Sequence, residues 1–230
     1  MKPYKIILPL IFLCLLIGNL YVIFTYDLDF SNKVRLISVL VFFLLFLSYR
    51  IMNRELIGFF VMLLISDLLL LNYENELSNV LIFILRITAY ILVIKMVVPD
   101  LKGLKTSLFQ KILFVSVLVV NLFMLFVLVD MVPEKLYSTI IRGLFYFYGI
   151  SLICMVVAAV SYSNRYANDA SFFYTTAILG LVLADISSFI AYYLGFTEFY
   201  FADRFFYLMG IAALIKFSGF DRSADRVLLR

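Results

Sequence analysis

Apolar residues dominate the chain in long runs, cut by short clusters of charged and turn-forming residues. The runs cover about residues 5–26, 34–52, 56–72, 77–97, 110–131, 138–162, 171–195 and 203–219. Each is roughly 17 to 25 residues long, enough to cross about 30 Å of hydrocarbon as an α-helix. An outer-membrane barrel would instead show roughly ten-residue segments of alternating polarity. The pattern therefore predicts an all-α fold, a polytopic membrane bundle of eight transmembrane helices, with 1–230 forming a single transmembrane domain. The first run follows Lys2 and Lys5, as a signal peptide would. Its apolar core is longer than the usual 7 to 15 residues, however, and no small-x-small cleavage site precedes Tyr26 and Asp27, so it reads as the first membrane helix.

Composition agrees: 65% of the 230 residues are hydrophobic, 15% are charged and the mean hydropathy is +1.09, against an apolar share of about 45–50% in soluble domains. The distribution of Lys and Arg adds an orientation. Thirteen basic residues, among them Arg50, Arg54, Lys95, Lys102, Lys105, Arg165 and Arg222, fall at one set of helix ends. Five, Lys33, Arg35, Lys135, Arg142 and Arg204, fall at the other, beside acids such as Asp27, Glu74, Glu134 and Asp203. By the positive-inside rule both termini are expected in the cytoplasm, which requires an even number of spans. The net charge of +4 then meets lipid head groups rather than nucleic acid.

The chain has no histidine, and its two cysteines, Cys14 and Cys154, stand alone in separate apolar runs. The commonest general base and the thiol and imidazole zinc sites are thereby absent. No phosphate loop, nucleophile elbow or metal-ligand spacing occurs, and no cofactor is expected. Lys216 lies in the last run but next to FSGFDRSADR, at a helix end, and the chain has no Trp to flank a retinal.

Chemistry is expected from two carboxylates. Asp67 in LLISDLLLLN and Asp185 in GLVLADISSF interrupt otherwise apolar runs, where a charge costs roughly 2.5–3.5 kcal/mol or more and faces a cavity or a partner. Both helices run from inside to outside, which puts the two acids roughly 10 and 15 Å below the outer boundary. Arg86 is the clearest buried base, and Tyr90 and Tyr207 are candidate pocket residues. Asp67, Arg86 and Tyr90 are echoed by Asp185, Arg204 and Tyr207 at similar spacing, a possible internal repeat. Arg204 is expected near the outer surface, leaving Asp185 without an equally deep partner. Tyr146, Tyr148, Tyr192, Tyr193 and Tyr200 read as interfacial anchors, and Asn121 as a helix-to-helix hydrogen bond. A carboxylate pair in a polar cavity supplies a proton donor and a base. The alternatives are a proton relay in a small-molecule or proton-coupled transporter, and a charge-paired hairpin that only glues helices together.

With both aspartates placed, the chain resembles the YhhN-like family of lysoplasmalogenase-type membrane proteins. Lys33 and Arg35 open the second run, and Ser66-Asp67-Leu68-Leu69 stands where that family has its third-helix motif. Tyr90 falls at its tyrosine, and Ala184-Asp185-Ile186-Ser187-Ser188 with Phe205-Phe206-Tyr207-Leu208-Met209-Gly210 is similar to its C-terminal signature. Ser66 replaces the family's Gly, Ala184 its Ser, and Ile87 lies near its histidine. The resemblance implies hydrolysis of the vinyl ether bond of a lysoplasmalogen or related ether lysolipid in a bacterial inner membrane, with Asp67 and Asp185 as acid and base. Arg86 or Lys33 would hold the lipid phosphate.

Overall fold

Polar residues between the apolar runs start the helices. Asp27 accepts a hydrogen bond from the Phe30 amide at 2.9 Å, Asn53 from Leu56 at 3.2 Å and Asn75 from Leu77 at 3.0 Å. Asn168 and Ser171 close a reciprocal capping box. Each satisfies an amide that the first turn of a helix leaves without a partner. A computed structural model of the chain describes residues 4–49, 53–72, 75–101, 108–132 and 139–220. Among these residues run α1 (Tyr4–Thr25), α2 (Leu28–Ser48), α3 (Arg54–Leu69), α4 (Glu76–Lys95), α5 (Leu108–Asp130), α6 (Thr139–Tyr166), α7 (Asp169–Tyr193) and α8 (Phe199–Ser218). Short 3₁₀ turns follow α3 and α4 at Leu70–Asn72 and Val98–Leu101.

The fold is all helical, and six helices, α1 to α4, α6 and α7, are long and apolar enough to cross a membrane. Of the other two, α8 carries Asp203, Arg204 and Lys216. Ile6, Leu10, Leu13 and Ile17 of α1 and Phe123 of α5 face outward, whereas Arg35, Asp67, Asp203 and Arg204 are buried. Apolar side chains outside and charges within is the arrangement lipid imposes, since hydrocarbon offers a charge no partner. Cys14, Cys154 and Asn121 also lie on outward faces.

Most helix bounds fall within about four residues of the apolar runs; two differ in a way that matters. The second helix starts at Leu28 rather than 34, and the eighth at Phe199 rather than 203. The earlier starts carry Arg35 about two turns into α2, and Asp203 and Arg204 more than one turn into α8, where the fold buries them. Of the basic residues that carry the orientation expectation, Lys2, Arg50, Lys102, Lys105, Lys135, Arg222, Arg226 and Arg230 lie outside the described residues, as do Glu74 and Glu134.

Antiparallel α3 and α4 pack as one hairpin and α7 and α8 as a second. The second is exceptionally close: a Cβ on Gly180 would stand 2.9 Å from the Gly210 Cα and 2.9 Å from the Phe206 carbonyl oxygen. With Ala177 and Ala184 on α7 and Ala213 on α8 also buried, small residues let the two backbones touch, as membrane helices do where no hydrophobic force drives them together. At the opposite end from the short charged turns, Phe42, Phe59, Phe60, Tyr174, Ile211 and Phe217 are fully buried. There the Tyr174 hydroxyl donates to the Val93 carbonyl at 3.1 Å, tying α7 to α4.

Gly180→Ala forces backbone apart from backbone and is expected to lower stability by roughly 1–3 kcal/mol. Gly18→Ala, where a Cβ meets nothing within 4 Å, leaves it unchanged or slightly raised. Thermal midpoints of the two variants in one detergent check this.

Candidate functional site

The first turns of α2, α4, α6 and α8 and the last turns of α3 and α7 gather at one end of the bundle. Between them opens a cavity of about 650 Å³, within the range of small-molecule sites. Its mouth is ringed by Asp29, Asn72, Asn75 and Tyr192, and its wall is largely aromatic and aliphatic, including Ile82, Phe83, Phe145 and Phe189. Its floor is made of Arg35, Arg86, Tyr148, Asp185 and Arg204. Arg86 stands ten residues into α4, about 15 Å below the start of that helix.

Six charges form an alternating chain across five helices. Asp185 Oδ1 meets Arg86 Nη1 at 2.9 Å, and Arg86 Nη2 meets Asp67 Oδ1 at 3.5 Å. Asp67 Oδ2 meets Arg35 Nε at 3.4 Å, Arg35 Nη1 meets Asp203 Oδ2 at 3.6 Å, and Asp203 closes on its neighbour Arg204. Three acids and three bases cancel, and hydroxyls and amides take up further valences. Arg86 Nε donates to Ser66 Oγ at 3.2 Å, while Arg204 Nη2 donates to Ser31 Oγ at 3.2 Å and Asn32 Oδ1 at 3.1 Å. The Arg35 guanidinium also lies over the Tyr207 ring, 4.1 Å from its centroid, a contact favoured in a dry site.

Five of the six side chains singled out in the sequence converge here: Asp67, Asp185, Arg86, Tyr90 and Tyr207. The two tyrosines cross between hairpins. Tyr207 of α8 donates to Asp67 of α3 at 2.9 Å, and Tyr90 of α4 makes a short hydrogen bond to Asp185 Oδ2 of α7. The possible repeat is thus asymmetric in its bases. Arg86 serves both aspartates, whereas Arg204 pairs with Asp203.

Several expectations need correcting. Lys33 is exposed and does not line the cavity; Arg35, two residues on, turns inward instead. Arg204 is 1% exposed rather than superficial. Asp185 has a deep partner, Arg86, and Asp203 is a third buried acid. Asp67 is fully buried behind Arg86 and Arg35 and is not part of the cavity wall. A guanidinium, not a water-sized gap, separates it from Asp185. Tyr148, read as an anchor, faces the cavity with its hydroxyl 3.3 Å from that of Tyr90. The caps offered the missed signal: a helix beginning at Asp27 puts Arg35 two turns deep.

Among the described residues no three His, Cys, Asp or Glu side chains converge as a metal site; Asp67, Asp185 and Asp203 each meet a guanidinium. Chemically, the floor offers one carboxylate within reach of a ligand, Asp185, oriented by a cation and a phenol. Comparison with family models, curated proteins and solved structures finds no match to this chain.

Removing one member of a buried charge chain strands the others, at about 3–5 kcal/mol. Arg35→Gln is expected to destabilise the protein by roughly that amount, and Lys33→Gln by less than about 0.5 kcal/mol. Unfolding of both variants in mixed micelles by titrated denaturing detergent measures the difference, and equal losses would refute the inward role of Arg35.

Proposed function

We propose that the chain is a YhhN-like membrane hydrolase that cleaves the vinyl ether bond of a lysoplasmalogen or related ether lysolipid, with Asp185 as the reacting carboxyl. In this reading all eight helices span a bacterial inner membrane, both termini are cytoplasmic, and the cavity mouth faces the opposite side. The observation that carries it is a cavity that enters from one end of the bundle, has greasy walls and stops at ionised side chains. A single-chain amphiphile suits such a shape: its polar end meets Asn72, Asn75 and Tyr192, and its apolar chain lies along Phe83, Phe145 and Phe189.

One carboxyl suffices for the reaction. Protonated Asp185 gives its proton to the alkenyl carbon remote from the ether oxygen, and the adjacent carbon becomes an oxocarbenium ion. Ionised Asp185 then takes a proton from the water that attacks this centre, which restores the acid. The hemiacetal so formed collapses to a fatty aldehyde and a free glycerol hydroxyl. Arg86 and the Tyr90 hydroxyl stabilise the ionised form between the two steps. Asp67 acts through Arg86, fixing its guanidinium from behind, and is a positioning residue. Arg86 directs its donors to Ser66, Asp67, Asp185 and Tyr148, so lipid phosphate is left to the polar mouth. A transporter would need a route past this floor. Phe59, Phe60, Leu63 and Leu208, all buried, occupy the space beyond it, which favours a one-sided site.

Purified protein in nanodiscs is expected to release aldehyde from a lysoplasmalogen and to leave the saturated alkyl ether analogue intact. Asp185→Asn lowers turnover by on the order of 100-fold or more, while Lys33→Gln leaves it unchanged. No aldehyde from either choline or ethanolamine lysoplasmalogen, or full turnover by Asp185→Asn, would refute the assignment.

A further inference from the structure

Asp185 is approached by groups from every side. Arg86 and Tyr90 reach it from α4, Tyr148 lies nearby on α6, and Asp67 and Arg35 stand beyond Arg86 on α3 and α2. Both of its oxygens are engaged, Oδ1 by Arg86 and Oδ2 by Tyr90. The directions of the hydroxyl protons follow from these contacts. Tyr90 has one proton and donates it to Asp185, so between the two phenols Tyr148 is the donor and Tyr90 the acceptor. Arg86 Nη1 lies 3.5 Å from the Tyr148 oxygen and can only donate. Tyr148 alone of the two phenols lines the cavity, and although Asp185 borders it too, the two carboxylate oxygens are already taken by Arg86 and Tyr90.

We propose that Tyr148 and Tyr90 form a hydroxyl relay that carries a proton between the cavity and Asp185. A proton from a cavity donor bonds to the Tyr148 oxygen as the Tyr148 proton passes to Tyr90 and the Tyr90 proton to Asp185 Oδ2. One O–H bond breaks at the donor and one forms at the carboxyl, and each phenol ends with one proton, as it began. With hydronium as donor, water is left behind; with water as donor, hydroxide is left in the cavity beside a neutral Asp185. The reverse sequence returns the proton. Neither direction depends on vinyl ether hydrolysis, so the relay stands or falls separately from that reading.

Time-resolved infrared spectroscopy of the full chain in nanodiscs tests it without substrate. After a jump to acid pH, the native protein is expected to develop a carboxylic acid C=O band that Asp185→Asn lacks. In Tyr148→Phe and in Tyr90→Phe the band reaches its native amplitude at equilibrium but rises roughly tenfold or more slowly, in keeping with the usual contribution of a positioned proton-transfer group. The double variant is no slower than the slower single one, because the two phenols lie in series. Preserved amplitude shows that each variant is folded and that its Asp185 still titrates. An unchanged rise in Tyr148→Phe, or no Asp185 band at any pH the native protein survives, overturns the relay.

Discussion

Arg86 touches both Asp67 and Asp185, and much of the bundle can be traced outward from that contact. Two carboxylates on separate apolar helices need a cation, because hydrocarbon supplies no counter-charge and only Asp185 of the two borders the cavity. One guanidinium neutralises only half of the pair. Asp67 therefore also draws in Arg35 from α2 and the phenol of Tyr207 from α8. Arg35 in turn needs Asp203, and Asp203 needs Arg204. The sequence of demands ends where Arg204 meets Ser31 and Asn32, close to the first turn of α2. Each charge is tolerable because the next one is present, which is the condition under which buried ion pairs persist.

The small-residue seam between α7 and α8 serves the same network from the packing side. Gly180 and Gly210 bring two backbones into contact, and the charged residues Asp185 on α7 and Asp203 and Arg204 on α8 lie toward the cavity end of that seam. A larger residue at either glycine would move the Asp185 end of the chain relative to the Asp203 end. Packing and electrostatics thus constrain the same pair of helices.

Much of this was legible in the sequence. Run lengths gave an all-helical membrane protein, and the isolation of Asp67, Asp185 and Arg86 in apolar surroundings marked the centre of the site. What escaped was charge near helix starts. Arg35, Asp203 and Arg204 fall at the starts of their apolar runs, so they read as helix ends near the surface until Asp27 and the turn before Phe199 are recognised as helix starts. Pairing across the bundle escaped as well. Nothing local indicates that Tyr90 serves Asp185 and Tyr207 serves Asp67, or that Tyr148 faces a cavity rather than lipid, because those facts depend on which helices become neighbours. The offset between Lys33 and Arg35 is a matter of helix phase, about 200° over two residues, and phase is read only once a partner face is known.

The crossing of the tyrosines has a further consequence for how the chain is made. As helices enter the membrane in order of synthesis, Asp185 arrives after Arg86, Tyr90 and Tyr148 are already in place, and can be met at once. Asp67 finds Arg35 ahead of it and Arg86 soon after, yet its phenol is separated by 140 residues, and Arg35 waits longer still for Asp203. Until α8 is in place, Asp67 lacks its phenol and Arg35 its second carboxylate. The pair Asp203 and Arg204 on α8 thus adds no net charge to a centre whose two acids and two bases already balance, but it brings the contacts that hold Arg35 and Asp67 in place.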